Sequence, residues 1–242
     1  MTKNFLITGV SRGLGREIAL KLLSECDCRV WGVGRSDASS VADIAEKFGG
    51  RFAYLPFDIS RTDEIAEEVF GKFVGLKTPL DGLVNNAAIA YADLATNLKA
   101  APLREMFDVN VFAAMFFTKC ALRNMILHGR RGSVVHISSV CAAKGFKGLA
   151  MYAATKGALE AFSKGIAREW GARGIRSNCV AAGFMQTDMS AGLSEEALAK
   201  IFARTALKSP AQTASVAGTV KFLLSDESAS ITGQTLAVDA GA

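Results

Sequence analysis

The sequence has no long uninterrupted apolar run, although half of its 242 residues are hydrophobic. Charged residues interrupt each hydrophobic segment well before the length that a membrane span needs. No stretch rich in proline and serine divides the chain, and no internal repeat is evident. These absences argue against a membrane-spanning protein, a repeat protein and a string of linked domains. We expect one large globular domain.

Cysteine and histidine are few, and neither is arranged as a metal site. There are five cysteines, an odd number, and the closest two, Cys26 and Cys28, are too near each other for a zinc motif. The histidines, His128 and His136, have no partner at ligand spacing. We therefore predict no bound metal and five reduced cysteines. With a strand-like segment beginning at residue 5 and no signal peptide ahead of it, this favours a cytoplasmic protein.

Charge of either sign is moderate, with a net charge of +5 and a pI of about 9.0. No stripe of lysine and arginine with interleaved aromatic residues appears, so we do not expect nucleic-acid binding. A mild basic excess favours anionic ligands, such as a phosphorylated cofactor or an acidic protein partner.

What the sequence does contain is a regular alternation of short strand-like runs and longer helical patterns. The predicted strands lie near residues 4–8, 29–33, 51–57, 82–85, 132–138, 175–180 and 235–238, and the predicted helices near 13–24, 38–48, 61–73, 102–127, 151–171 and 213–224. This alternation is typical of an α/β protein with a single-domain Rossmann fold, a doubly wound seven-stranded parallel sheet with helices on both faces. An insertion at about 184–210, with a helical piece at 195–206, interrupts it and is predicted to be a substrate lid.

A glycine-rich loop follows the first predicted strand and opens the first helix. Its candidate cofactor residues are Gly9, Ser11, Arg12, Gly13, Leu14 and Gly15. Glycine permits a tight turn and close approach of the backbone to a ligand, and a helix N-terminus favours a pyrophosphate. A structural turn alone accounts for many such loops, but the position between strand and helix favours a dinucleotide.

The end of the second predicted strand bears on which dinucleotide binds. It carries Arg35, with no carboxylate before Asp37, so a 2′-phosphate could pair with Arg35 and with Arg12. We predict NADP(H), with two solvated surface arginines as the alternative. Further cofactor contacts are predicted after the third and fourth strands, at Asp58, Ile59, Asn86 and Ala87.

The catalytic candidates are Ser139, Tyr152 and Lys156. Tyr152 and Lys156 are four residues apart, so they lie one turn apart on the same helix face. An ammonium beside a phenol favours the phenolate and lowers the tyrosine pKa, which makes an acid/base catalyst. A serine from the preceding strand would hydrogen-bond the same substrate oxygen.

On these residues the chain resembles the short-chain dehydrogenase/reductase family over essentially its full length. The resemblance rests on the glycine loop at 8–15, the segment 85–87, Asn110, Ser139, Tyr152 and Lys156. Within the family it looks most like the 3-oxoacyl-(acyl-carrier-protein) reductases, on segments 187–189, 225–227 and 231–236. Two positions depart from the family pattern, where Ala88 stands for the usual glycine and Ala182 for the usual proline.

The resemblance implies NADPH-dependent reduction of a carbonyl to a secondary alcohol, with a 3-oxoacyl-(acyl-carrier-protein) of fatty acid or related biosynthesis as the expected substrate. It implies that Tyr152 protonates the carbonyl oxygen, Ser139 orients it, and Lys156 binds the nicotinamide ribose and lowers the tyrosine pKa. Asn110 would position a water in a proton relay. Gly183 and Thr187, with Tyr152 and Lys156, complete the implied cofactor contacts.

The expected substrate mouth is largely apolar and consists of Gly145, Phe146, Leu149, Met151, Phe184, Met185 and Met189. The resemblance further implies that Arg130 and Arg173 dock an acidic acyl carrier protein, although solvated charges are the commoner fate of such residues. The resemblance also implies a homotetramer that uses the fourth and fifth helices, which are rich in phenylalanine.

Two other functions remain open at this point. The same chemistry could act on a free ketone, steroid, quinone or secondary-metabolite alcohol, since one fold serves many substrates. The chain could instead be a non-catalytic NADP-binding regulator, but such a protein should lack some of the four residues Asn110, Ser139, Tyr152 and Lys156, and all four are present.

Overall fold

The computed structural model describes residues 2–187 and 194–242 of the chain. Within these residues seven strands form one sheet in the order β3-β2-β1-β4-β5-β6-β7, and each neighbouring pair is parallel. The strands are β1 Lys3–Thr8, β2 Cys28–Gly34, β3 Phe52–Pro56, β4 Gly82–Asn85, β5 Ser133–Ser139, β6 Arg176–Ala182 and β7 Thr235–Val238. The predicted single α/β domain with a seven-stranded parallel sheet is confirmed.

The helices lie between the strands as the alternation predicts. They are α1 Gly13–Glu25, α2 Ala42–Phe48, α3 Ala100–Phe107, α4 Ala113–Leu127, α5 Ala150–Trp170, α6 Glu195–Arg204 and α7 Thr213–Leu224. A π-type helix, Ile65–Gly75, occupies most of the helix predicted at 61–73. No helix in the described part of the chain combines the length and apolar character that crossing a membrane demands.

Three helix predictions were wrong in detail. The single helix predicted at 102–127 is interrupted by a π-helical segment, Asp108–Phe112, which joins α3 to α4. The helix predicted at 38–48 begins with a 3-10 turn, Ala38–Val41, and α6 ends at Arg204 rather than at residue 206. These differences concern only the type and length of the helices that connect the strands, so the sheet is as predicted.

Helices cover both faces of the sheet, so its central strands are buried on both sides. All seven residues of β5 are buried, as are six of the seven in β6. One face packs against α1 and α7 through a core that includes Ile7, Ile18, Val135 and Val220, and the other packs against α4 and α5 through Leu83, Phe117, Val134 and Ile166. Burying each such side chain contributes about 1.5–3 kcal/mol.

The strand order places a crevice between the carboxyl ends of β1 and β4. β1 has β2 on one side and β4 on the other, so the connections that leave these two strand ends diverge to opposite faces. The glycine loop follows β1, Asn86 follows β4, and Ser139 ends the next strand, β5. We call this side of the sheet, where its strands end, the catalytic edge.

Candidate active site

Tyr152 and Lys156 lie on the first two turns of α5, beside the end of β5. The Lys156 Nζ atom is 5.6 Å from the centroid of the Tyr152 ring, so the predicted pairing on one helix face is present. Ser139 is the last residue of β5, and its Oγ atom accepts a hydrogen bond from the Cys141 backbone N–H at 3.2 Å. That bond fixes the turn Val140–Ala142, which packs against α5.

Lys156 is buried and held from behind by the strand. Its side chain is 2% exposed, and Nζ donates a hydrogen bond to the backbone carbonyl of Ile137 at 2.8 Å. Burial lowers the Lys156 pKa from 10.5 to about 8, because the charged form is poorly solvated. The Lys156 pKa is therefore about one pH unit above neutral pH.

The expected lowering of the tyrosine pKa is not found. Burial raises the Tyr152 pKa above its ordinary value, and the nearby Cys141 thiol acts in the same direction. Burial is the largest cause of the raised pKa, and the Lys156 ammonium donates its hydrogen bond to the Ile137 carbonyl. The phenol is consequently protonated at neutral pH, which is the form a proton donor requires.

Asn110 lies in the π-helical segment and joins three parts of the site. Its Nδ2 atom donates to the Ile89 carbonyl at 2.9 Å and to Thr155 Oγ1 at 3.1 Å, while its Oδ1 atom accepts from the Ile89 N–H at 2.9 Å. Thr155 Oγ1 in turn donates to the Tyr152 carbonyl at 2.8 Å. The side chain thus ties the loop after β4 to α5, and π-helical segments often occur at such sites.

Thr155 is a residue that the sequence reasoning missed. It is fully buried and connects Asn110 to the first turn of α5. The available signal was its position directly before Lys156, with a hydroxyl on the helix face that meets α4.

The glycine loop approaches the backbone after β4 closely. Gly9 and Gly13 have φ angles of +77° and +54°, which favour glycine. A Cβ atom at Gly15 would overlap the Gly9 carbonyl oxygen, and one at Gly9 would lie 2.9 Å from the Ala87 Cα atom. The predicted glycines are therefore required by the turn itself.

Asn86 and Ala87 hold the loop in place. Asn86 Nδ2 donates to the carbonyls of Thr8 and Gly9 at 2.9 and 3.2 Å, and the Ala87 N–H donates to Thr8 Oγ1 at 3.1 Å. The structure thus brings the glycine loop and Asn86–Ala87 together at the crevice, as predicted. Asn86 has an architectural role there, whatever it binds.

The N-terminus of α1 is suited to an anion. Its N-cap residue, Arg12, has an extended backbone, its side chain does not cap the helix, and the first turn carries no acidic residue. The free N–H groups and the positive end of the helix dipole therefore face the crevice. Leu14 is buried behind them. This arrangement fits a pyrophosphate.

The end of β2 forms the next wall. Arg35 is exposed there, Ser36 Oγ donates to Ser11 Oγ at 3.3 Å, and Tyr54 OH donates to the Ser36 carbonyl at 2.7 Å. Tyr54, which the sequence reasoning missed, supports this strand end from β3. These hydrogen bonds therefore hold in place the turn that carries Arg35, the predicted phosphate-binding residue.

Asp58 follows β3 close to Arg35. Burial acts to raise the Asp58 pKa, but hydrogen bonds from the Ser60 N–H and hydroxyl, together with the charges of Arg35 and Arg61, hold it below its usual value. The neighbouring Ile59 is buried. Both residues follow β3 at the catalytic edge, where cofactor contacts were predicted.

Gly183 and Thr187 differ in what surrounds them. The Gly183 N–H donates to the Val238 carbonyl at 3.0 Å, and a Cβ atom there would lie 2.5 Å from the Asp239 Cα atom, so β7 requires glycine at this position. A Cβ atom at Gly13 would lie 3.9 Å from Thr187 Cβ, which places Thr187 beside the glycine loop. Asp188 and Met189 lie outside the described residues.

The residues predicted to line the mouth separate into buried and exposed groups. Met151 is buried, and Phe184 contacts Phe202 of α6 with ring centroids 6.0 Å apart. Phe146 is 41% exposed on the loop after β5. The wall next to Tyr152 thus combines buried and exposed apolar surface, and Phe184 packs against α6 within the predicted lid segment, 184–210.

Arg130 and Arg173 lie at the edge of the sheet opposite to Tyr152. Arg130 precedes β5, with its Nε atom 3.7 Å from Asp81 Oδ1, and Arg173 precedes β6. β5 runs from that edge to Ser139, a length of about 20 Å at about 3.3 Å a residue. Any partner bound there would be about one strand length from the catalytic residues of the same chain.

In the described part of the chain, no group of three or more His, Cys, Asp or Glu side chains could hold a metal ion.

Comparison with known proteins gives consistent results across the chain. A family model described as enoyl-(acyl carrier protein) reductase matches residues 9–242. The 3-oxoacyl-(acyl-carrier-protein) reductase FabG of Chlamydia muridarum is 33% identical over 244 residues, covering 100% of this chain and 97% of that protein. The protein of the same name from Escherichia coli is 35% identical over 238 residues, covering 98% and 95%.

A solved structure is similar as well. It is described as an NAD(P)-dependent gluconate 5-dehydrogenase from Beutenbergia cavernae with bound NADP. It superposes with a TM-score of 0.91 at 31% identity, covering 99% of this chain and 96% of that one.

Proposed function

The chain belongs to the short-chain dehydrogenase/reductase family of oxidoreductases, which act on the alcohol–carbonyl pair, and on that premise we propose that it reduces a 3-oxoacyl thioester with NADPH. The proposed substrate is a 3-oxoacyl-(acyl-carrier-protein), as in fatty acid or related biosynthesis. The observation that carries the proposal is the placement of Ser139, Tyr152 and Lys156 at the catalytic edge, beside the glycine-loop crevice.

NADPH, when bound, supplies the hydride that the carbonyl carbon accepts. Tyr152 donates its phenolic proton to the carbonyl oxygen, and its raised pKa keeps that proton in place at neutral pH. Ser139 orients the same oxygen through its hydroxyl. Lys156, whose Nζ atom is 5.6 Å from the centroid of the Tyr152 ring, would bind the nicotinamide ribose beside the phenol. Asn110 keeps α5 and the loop after β4 in register.

The cofactor proposal rests on the fit of the crevice as well as on the family. The glycine loop and the N-terminus of α1 would hold the pyrophosphate, and Arg35 with Arg12 would pair with a 2′-phosphate. NADP is the dinucleotide bound in the similar gluconate 5-dehydrogenase. Asp58, Ile59, Gly183 and Thr187 keep their proposed cofactor contacts.

Several finer expectations remain proposals. These are the homotetramer, the docking of a carrier at Arg130 and Arg173, the lid at 184–210 and the cytoplasmic location. Docking at Arg130 and Arg173 now requires a carrier that serves another copy of the chain or reaches around the sheet, because both arginines lie at the opposite edge.

The direct test is oxidation of NADPH by the purified protein with a 3-oxoacyl carrier protein, with acetoacetyl-CoA, and with NADH in place of NADPH. We expect turnover of both thioesters and a clear preference for NADPH. Binding of NADPH without turnover of either thioester would contradict the proposed substrate. Equal turnover with NADH would contradict the role given to Arg35 and Arg12.

A free hydroxy or keto compound is the second candidate, because a gluconate 5-dehydrogenase is among the similar structures. The exposed and buried apolar side chains at the mouth, Phe146 and Met151, favour an acyl chain over a polyhydroxy acid. Including gluconate, with NADP and NADPH, among the substrates of the same assay separates the two candidates.

A further inference from the structure

The first turn of α5, which carries Tyr152, lacks the capping groups that stabilise a helix N-terminus. Its N-cap residue, Leu149, makes no side-chain hydrogen bond to the helix, and the first turn has no acidic residue. The loop ahead of it is exposed at residues 143–147 and continues into Gly148, which has a φ of +82°. Helix ends without caps fray readily. Contacts further along the helix must therefore hold Tyr152 in place.

Thr155 makes such a contact with the backbone of Tyr152. Its side chain is fully buried, and its Oγ1 atom donates to the Tyr152 carbonyl at 2.8 Å, one turn back along α5. The same Oγ1 atom accepts a hydrogen bond from Asn110 Nδ2 at 3.1 Å. The hydroxyl therefore connects the first turn of α5 to a side chain outside that helix.

The direction of this hydrogen-bond chain is fixed by the backbone of Ile89. The Ile89 N–H donates to Asn110 Oδ1 and the Ile89 carbonyl accepts from Asn110 Nδ2, both at 2.9 Å, so the amide has only one orientation that satisfies both bonds. Nδ2 therefore faces Thr155, where Oγ1 accepts, and the single hydroxyl proton goes to the Tyr152 carbonyl. Because Asn110 is only 1% exposed, loss of the hydroxyl would leave one of its N–H groups buried and unpaired.

We propose that Thr155 is a positioning residue for the reduction, and this inference rests on the proposed function. Through the Thr155 hydroxyl, Asn110 and the loop after β4 hold the first turn of α5, and with it the Tyr152 phenol, in line with the substrate carbonyl. An error of about 1 Å in such a position can cost about 10²-fold in rate. Thr155 acts through Tyr152, because a fully buried side chain touches neither substrate nor cofactor.

The chain offers a matched control in Thr118 of α4. This residue is also fully buried, donates to the carbonyl of Ala114 one turn back at 2.7 Å, and accepts from Asn85 Nδ2 at 3.0 Å. Neither bond involves α5 or a catalytic residue. Thr155→Val and Thr118→Val each replace a hydroxyl by a methyl group of similar size, so both should lower thermal stability, but only the first breaks the link to Tyr152.

Each full-length variant is assayed for kcat and KM with NADPH and acetoacetyl-CoA, and for NADPH affinity by fluorescence titration. We expect Thr155→Val to lower kcat at least about tenfold while KM and NADPH affinity stay within about twofold of the unaltered values. Thr155→Ser, which keeps the hydroxyl, should recover kcat to within about threefold of the unaltered value. Thr118→Val should leave kcat within about twofold.

Two results would overturn the inference. One is an unchanged kcat in Thr155→Val, and the other is an equal loss of kcat in Thr118→Val, which would make the effect a general consequence of lost stability. If Thr155→Val does not fold, Thr155→Ala, which introduces a strong helix former without the hydroxyl, takes its place with the same expected loss. Failure of the unaltered protein to reduce both acetoacetyl-CoA and the carrier-bound thioester would instead overturn the proposed function, and the positioning inference with it.

Discussion

His136 lies in β5, three residues before Ser139, and its buried side chain has few polar neighbours. Its Nδ1 atom is 3.2 Å from Asn85 Nδ2, and its ring packs edge-on against Phe162 with centroids 5.8 Å apart. Because Asn85 Nδ2 can only donate, Nδ1 accepts and the proton resides on Nε2, which has no partner among the described residues. Burial, reinforced by the Lys156 charge, lowers the His136 pKa from 6.5 to about 3.

This histidine should make the protein sensitive to mild acid. Below pH 6.5 the unfolded chain binds a proton at His136 that the folded chain excludes until about pH 3, so the free energy of unfolding falls as pH falls. The expected slope from this group is about 1.4 kcal/mol per pH unit. His136→Asn should remove that slope, measured by denaturant unfolding between pH 6.5 and about 5.

The variant His128→Asn, which removes the other histidine, is the matched control. Equal acid sensitivity in the unaltered protein and in His136→Asn would show that His136 does not contribute.

For individual residues, the sequence predicted which side chains lie close together, but it did not predict the direction of the Tyr152 pKa shift. The four-residue spacing on a helix was enough to bring Tyr152 and Lys156 together, because it depends only on local geometry. The direction of the Tyr152 pKa shift was wrong, because it depends chiefly on burial. Burial cannot be deduced from residue spacing.

Among the secondary structure elements, strands were easier to predict than helix windings. Short apolar runs, Val134–Val135 in β5 and residues 179–182 in β6, were enough to indicate strands that are buried on both faces. The π-helical segment around Asn110 was not evident from the sequence, since one wider turn hardly alters the apolar periodicity. Asn110 in this segment bonds to Ile89 and Thr155, which are distant in sequence, so spacing alone could not indicate these contacts.

The C-terminal turn, residues 239–241, contains a residue with a strained backbone conformation, and the cost of this strain can be tested. Ala240 has a φ of +56°, a conformation that costs a residue with a side chain about 1–2 kcal/mol. Ala240→Gly should therefore raise the free energy of unfolding by up to about 1 kcal/mol, after the greater entropy of unfolded glycine is counted. Denaturant unfolding measures the change.

The neighbouring glycine provides the opposite control. Gly241 has a φ of +77°, and a Cβ atom there would lie 2.5 Å from Ala206 Cβ, so Gly241→Ala should destabilise the protein. Destabilisation by Ala240→Gly as well would mean that the Ala240 methyl group makes contacts worth more than the strain.

For the whole molecule, the sheet separates the residues that follow its strands from those that precede them. Residues that follow strands, including the glycine loop, Asn86 and Ser139, converge on one edge, whereas Arg130 and Arg173 precede strands and lie on the other. This division was deducible from the sequence, because parallel strands all end at the same edge. The contacts that join residues 144 and 207 to residues 239 and 240 were not deducible, since these segments are distant in sequence.

The most direct test of the account is the turnover of Tyr152→Phe, compared with the unaltered protein, on a 3-oxoacyl thioester with NADPH. The substitution removes only the phenolic hydroxyl, one of many implied cofactor contacts, so NADPH affinity, measured by fluorescence titration, should change little. We predict that kcat falls by at least about 10²-fold, because the carbonyl oxygen loses its proton donor. Turnover close to that of the unaltered protein, with NADPH still bound, would show that Tyr152 is not the proton donor and that the catalytic site has been misassigned.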